Sequence, residues 1–122
     1  MTDSMMSLAI SRALLGAGST SPNPLVGAVI HRGDTVLSTG YHKKAGEDHA
    51  EVDALKNAPS DLSDATMTVT LEPCSRFGRT PPCTQAIFEA GIRKVRIGML
   101  DPNANENGRG VRELNALGIE TD

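Results

Sequence analysis

His49 stands two residues before Glu51, and Cys74 and Cys83 are the only two thiols in the chain. One imidazole and two thiolates form a donor set for tetrahedral zinc that leaves the fourth position to water, whereas a structural zinc is normally closed by four protein ligands. A zinc ion lowers the pKa of its water from about 15.7 towards roughly 7. The set His49, Cys74 and Cys83 therefore predicts a nucleophile available at neutral pH, with Zn2+ as the cofactor. Glu51 then reads as a proton carrier rather than a ligand. A lone carboxyl is more often a solvated helix-face group, and only its offset from His49 singles it out. The competing reading of the cysteines is a pair of small buried hydrophobes or a structural zinc. The latter needs His31 or His42 as a fourth ligand. His31 lies in an apolar strand, where a core or surface histidine is the plainer interpretation.

The pattern around these residues predicts the elements that must hold them. A first helix follows Thr2 or Asp3 and presents Met6, Ala9, Ile10, Ala13, Leu14 and Ala17 at helical spacing, with Gly18 as its stop. A loop from Gly16 to Pro24 leads into a buried strand from Leu25 to His31. Arg32-Gly33-Asp34 turns the chain into a return strand from Thr35 to Tyr41. Glu47 to Asn57 reads as a helix with His49 and Glu51 in its first turn, where free N–H groups and the positive dipole end favour an anion. Ala65 to Leu71 is a strand. Pro81 or Pro82 opens a helix running to Ala90, with Gly91 as its stop and Cys83 in its first turn, where the thiol pKa is lowered. Lys94 to Met99 forms a strand, Asp101 to Gly110 a loop, Val111 to Leu117 a helix and Gly118-Ile119-Glu120 a last strand. This order predicts an α/β fold, a three-layer α/β/α sandwich on a mixed five-stranded sheet, with two helix N-termini converging on one metal.

Bulk properties narrow the function further. A chain of 122 residues fits one domain. A net charge of −3 and a pI near 5.6 give no electrostatic reason to bind a polyanion. With no Trp, one Tyr and two Phe, platforms for stacking unpaired bases are scarce. No apolar run approaches the roughly 18 residues that span a bilayer, and no secretory signal opens the sequence. A cytoplasmic protein with a small-molecule substrate is expected, with no nucleic acid and no membrane as partner.

The runs Thr20-Ser21-Pro22-Asn23-Pro24-Leu25-Val26-Gly27, His49-Ala50-Glu51-Val52 and Leu71-Glu72-Pro73-Cys74-Ser75, then Gly78-Arg79-Thr80-Pro81-Pro82-Cys83, Ala90-Gly91-Ile92 and Asp101-Pro102-Asn103, carry a resemblance over nearly the whole chain. The sequence resembles the deaminase half of the bifunctional riboflavin-biosynthesis deaminase-reductases, within the cytidine-deaminase-like superfamily. Zinc deaminases as a class carry H-x-E followed by P-C-x-x-C. The longer Gly-Arg-Thr-Pro-Pro-Cys loop separates this branch from cytidine and tRNA adenosine deaminases. The resemblance implies hydrolytic removal of an exocyclic amine from 2,5-diamino-6-ribosylamino-4-pyrimidinone 5'-phosphate. Such an aminopyrimidine carbon is a weak electrophile. Its hydrolysis needs a strong nucleophile and protonation of both ring nitrogen and departing amine, which is general base and general acid work for Glu51.

The resemblance also implies that His42 and Ala50 line the substrate pocket. Asn23, stiffened between two prolines, could aim its amide at the heterocycle edge, or be a plain turn residue. Arg79, and Arg76 beside it, carry guanidinium forks that match phosphate oxygens; solvated surface arginines are the alternative. Asn103 reaches the ribose or phosphate, or shapes a turn. Arg76 stands where the family usually has His, Asp48 where Pro is common, and the reductase domain that normally follows is absent from this sequence. A free-standing deaminase with a separate reductase chain, an excised domain, and a relative recruited to another aminated pyrimidine or purine all fit that pattern. Self-association is open. From other classes, a nucleic-acid deaminase is opposed by charge and aromatic content, and a non-enzymatic zinc assembly module by Glu51 and the missing fourth ligand.

Overall fold

The computed structural model describes residues 4–18, 24–44, 47–75 and 82–122. Helix α1 (Ser4–Ala13) tightens into a 3-10 turn (Leu14–Gly16) and is followed by strands β1 (Gly27–Arg32) and β2 (Thr35–Tyr41). Helix α2 (Ala50–Lys56), strand β3 (Thr66–Val69), helix α3 (Cys83–Glu89), strand β4 (Lys94–Ile97), helix α4 (Arg109–Ala116) and strand β5 (Glu120–Thr121) complete the chain. The sheet order is β2-β1-β3-β4-β5. β1 is antiparallel to both β2 and β3, whereas β3, β4 and β5 are parallel. The expected mixed five-stranded sheet is present, and among the described residues no helix is long and apolar enough to cross a membrane.

Alternation along the strands separates two faces. Ala28 and Ile30 of β1, Met67 and Val69 of β3 and Val95 of β4 form one buried cluster with Ala50 and Ala54 of α2, Ile87 of α3 and Leu114 of α4. Full burial of such side chains contributes roughly 1.5 to 3 kcal/mol for each large one. On the other face α1 crosses β1 so closely that a Cβ on Gly27 would run into the Ala9 carbonyl oxygen. Gly40 plays the same part for α2, because a Cβ there would strike the backbone of Ala50 and Ala54. The helix carrying Glu51 is thereby seated directly on β2. Ser38 Oγ donates to the Ala54 carbonyl at 2.9 Å, and the Tyr41 N–H donates to Asp53 Oδ2 at 3.1 Å.

Several expected boundaries shift. α1 ends at Ala13 rather than Gly18; the helix turns Ala9 and Ala13 inward and leaves Ile10 50% exposed, and Leu14, at the start of the 3-10 turn, is 60% exposed. Thr2 and Asp3 lie outside the described residues, as does most of the loop from Gly16 to Pro24. α2 starts at Ala50, three residues later than Glu47, so His49 is its N-cap in an extended conformation and only Glu51 lies in the first turn. α4 starts at Arg109, two residues earlier than expected, with Gly108 at φ 82° as its N-cap. Strands β3 and β4 end at Val69 and Ile97, ahead of the stretches that carry Cys74 and Asp101. Those stretches leave the carboxyl ends of neighbouring parallel strands, where open α/β sheets place their ligands.

Candidate metal centre and its cleft

The N-termini of α2 and α3 meet where His49 approaches Cys83. At α2 the N-cap residue is His49, and its ring makes no cap bond to its own helix. The imidazole is instead turned towards the thiols, with Nδ1 3.3 Å from Cys83 Sγ and 3.9 Å from Cys74 Sγ. At α3 the N-cap Pro82 has no side-chain cap to offer. Cys74 fills that role from nine positions upstream. Its sulfur accepts the Cys83 N–H at 3.5 Å, and its carbonyl accepts the Thr84 N–H at 3.2 Å. The first orphan donors of α3 thus lock the Cys74 loop to the helix that carries Cys83.

The three ligand atoms all lie within 4.8 Å of one another. Tetrahedral zinc with Zn–S near 2.3 Å and Zn–N near 2.05 Å requires nitrogen–sulfur edges of about 3.6 Å and a sulfur–sulfur edge of about 3.8 Å. The two nitrogen–sulfur separations, 3.3 and 3.9 Å, straddle the first length, and all three atoms lie within 4.8 Å, so the donor set fits the ion. His49 is exposed, Cys74 half-buried and Cys83 buried, so the open side of the triangle faces the cleft and solvent.

Protonation of this cluster follows from its hydrogen bonds. Cys74 is held down to about 4, first by the hydrogen bond from Cys83, then by His49 and the Cys83 backbone N–H, against the cost of burial. Cys83 is pushed strongly up by the same bond and by its burial, opposite to the lowering expected at the start of a helix, because its sulfur donates to Cys74 and is cut off from water. The pair thus favours the thiolate on Cys74 and the thiol on Cys83, and a divalent cation bound here would displace that thiol proton. His49 is raised, chiefly by its bond to Cys74. The Glu51 carboxyl, 4% exposed, is pushed up to about 7 by loss of water, with its own backbone N–H and His49 pulling the other way.

Pro24, Val26, His42, His49, Ala50, Glu51, Leu71, Glu72, Cys74 and Asp101 line the cleft in front of the cluster. His42 is 3% exposed and stands edge-on to the His49 ring, centroids 5.4 Å apart. Its Nδ1 lies 2.9 Å from the Asp48 carbonyl oxygen, so that nitrogen carries the proton and the ring is fixed. Asp48, where a proline is common in the family, has its carboxylate paired with Lys56 on α2.

His49, Glu51, Cys74, Cys83, His42 and Ala50 are brought together. Asn23, Arg76 and Arg79 lie outside the described residues. Asn103 is exposed and not part of the cleft lining: its Oδ1 accepts the Asn105 N–H at 3.0 Å, the turn-shaping arrangement among the two readings of that residue. His31 is remote from the cluster. Its Nδ1 lies 3.0 Å from the Gly33 carbonyl oxygen and its Nε2 2.7 Å from Thr68 Oγ1. Sequence reasoning gave no role to Glu72 or Asp101. The available signal was a carboxylate two residues ahead of Cys74, at the end of a buried strand, where an ionised group requires partners.

Residues 1–99 match the zinc-binding region of cytidine and deoxycytidylate deaminases. The riboflavin biosynthesis protein RibD of Aquifex aeolicus is 51% identical over 117 residues, covering 96% of this chain and 33% of that protein. The diaminohydroxyphosphoribosylamino-pyrimidine deaminase of Buchnera aphidicola is 47% identical, covering 93% of this chain and 78% of its own length. Among solved structures, the diaminohydroxyphosphoribosylaminopyrimidine deaminase/5-amino-6-(5-phosphoribosylamino)uracil reductase of Thermotoga maritima superposes with a TM-score of 0.91 at 44% identity, over 97% of this chain and 34% of that one. This chain thus spans about a third of the RibD proteins it matches.

Proposed function

This chain belongs to the cytidine and deoxycytidylate deaminase zinc-binding family, on the branch of the riboflavin-biosynthesis deaminases, and from that premise we propose that it hydrolyses an exocyclic amine from 2,5-diamino-6-ribosylamino-4-pyrimidinone 5'-phosphate. The observation that carries the reading is an open three-donor cluster sharing one cleft with a buried carboxyl. His49 Nδ1 and the sulfurs of Cys74 and Cys83 would hold the ion. Bound there, zinc supplies Lewis-acid chemistry that makes water acidic enough to attack at neutral pH.

The remaining steps fall to the chain's own groups. Glu51, buried and poised near neutrality, takes one proton from the attacking water and delivers it to the ring nitrogen next to the amine-bearing carbon. The second water proton passes by the same carboxyl to the amine, which leaves as ammonia while the carbon becomes a carbonyl. Water is consumed, ammonia is released and no redox change occurs. His42, fixed through Nδ1 by the Asp48 carbonyl, presents a rigid edge to the heterocycle. Ala50, with no side chain beyond Cβ, leaves room for a planar ring against α2. Arg79, with Arg76, takes the phosphate through its guanidinium fork, and Asn23, stiffened between two prolines, takes the heterocycle edge. The product suits the reductase chemistry named for the Thermotoga protein, carried on another domain or another chain.

Ammonia release from the zinc-loaded chain, measured on this compound beside cytosine, guanine and their nucleosides, tests the reading. Turnover of the ribotide above all others is expected. A chain that ignores it while deaminating a free base belongs to a recruited activity instead.

A further inference from the structure

Glu72 is 6% exposed, sits two residues before Cys74 and is not used by the chemistry above. Its own N–H is paired with the Met99 carbonyl at 2.9 Å. Its carboxylate reaches out of the strand end and collects backbone donors from a different part of the chain. Oε1 accepts the N–H of Asp101 at 3.0 Å and of Gly108 at 3.0 Å, and Oε2 accepts the N–H of Val111 at 2.9 Å. Gly110 lets α4 come this close, since a Cβ there would strike the Pro73 carbonyl oxygen. The bonds at Gly108 and Val111 satisfy donors at the N-terminus of α4, for which no side-chain cap is supplied from within the helix.

The span between these anchors closes on itself. Asp101 Oδ1 accepts the Asn103 N–H at 2.9 Å, the Asn107 amide donates to the Asp101 carbonyl at 3.0 Å, and the Glu106 and Asn107 N–H groups both reach the Asn103 carbonyl at 2.9 Å. A loop of this kind is internally braced but needs an external peg to fix where it sits. Glu72 is that peg, and both it and Asp101 line the cleft in front of Glu51. We propose that Glu72 is a positioning residue that holds Asp101 and the segment to Val111 in place beside the cleft, and so governs how the substrate is held rather than how it reacts. This rests on the reading of the cleft as a deaminase site.

Glutamine makes the sharp test, because it keeps the volume and removes only the double acceptor. With its oxygen towards Asp101 and Gly108, its NH2 faces the Val111 N–H; flipped, it faces the other two. No orientation serves both sides. In Glu72→Gln the zinc content should match the parent, and amide exchange at Asp101, Gly108 and Val111 should quicken by about tenfold or more, as expected for loss of a charge-assisted bond. KM for the ribotide should rise by about tenfold with kcat within about threefold, the pattern of lost ground-state holding. Adding Asp101→Ala should raise KM less than additively, since the two act through one segment. Released amides with an unchanged KM, or joint loss of zinc and kcat, overturn the proposal.

If Glu72→Gln does not fold, hydrogen exchange in the Glu51→Gln chain, which binds the ribotide without turning it over, carries the test. The three amides should then open as one unit and slow together on binding; independent exchange overturns the link. A parent chain inactive on the ribotide sinks the reading of function separately. The exchange comparison then decides the role of Glu72 alone, and unchanged protection in Glu72→Gln refutes it.

Discussion

His31 and His49 are the same residue type in two regions of one small domain, and their surroundings give them opposite duties. His31 lies on β1 at 6% exposure, with one ring nitrogen against a carbonyl and the other against the Thr68 hydroxyl. Both nitrogens are consumed by the protein, so the ring ties β1 to β3 and to the β1–β2 turn. His49 caps α2, is exposed, and turns Nδ1 to two sulfurs. Nothing about imidazole differs between the sites. The atoms facing each nitrogen decide whether the group serves the fold or an ion, and substitutions in the two regions should separate function from stability accordingly.

The largest effect is expected for Cys74→Ala. It removes a proposed ligand and also the sulfur that accepts the Cys83 N–H at the start of α3, so metal analysis should show loss of stoichiometric zinc, and thermal unfolding should no longer respond to added zinc. Retained zinc in this variant would break the assignment of the metal region. Glu51→Gln should keep metal and melting temperature while losing about 10² to 10⁴ in kcat, the usual worth of a proton shuttle. A loss below about tenfold would contradict that role. Arg79→Ala should raise KM for the phosphorylated compound about ten- to a hundredfold relative to its dephosphorylated counterpart. An unchanged ratio would mean that the cysteine loop does not read phosphate.

Smallest for activity, and opposite in kind, is Thr68→Val. It deprives His31 Nε2 of its buried partner and should cost about 1 to 3 kcal/mol in denaturant unfolding. Zinc content and kcat/KM should stay at parent values. A variant that lost zinc instead would erase the distinction between the two histidines.

The amino-acid sequence determined the parts that depend on local chemistry. That His49, Cys74 and Cys83 would gather in one cleft with Glu51 was legible because only a few residue types suit zinc or proton transfer, and the order of apolar periods and Gly/Pro breaks decided which segments are helices and strands. β2 was placed to the residue, from Thr35 to Tyr41, because its turn and its alternation agree. Leu14 was not, since periodicity cannot show that a helix tightens into a 3-10 turn before its last apolar residues; nor was Ile10, because helical spacing does not say which side of an apolar stripe packs on the sheet. Only the tertiary structure decided which atoms meet. It turned the His49 ring away from its own helix, set the Cys74 sulfur under the α3 N-terminus and bound Glu72 to Asp101, Gly108 and Val111, up to 39 positions away. A carboxylate reads the same in sequence whether water or backbone N–H groups surround it. Burial makes the difference, because a charge withdrawn from water must find donors wherever the fold brings them.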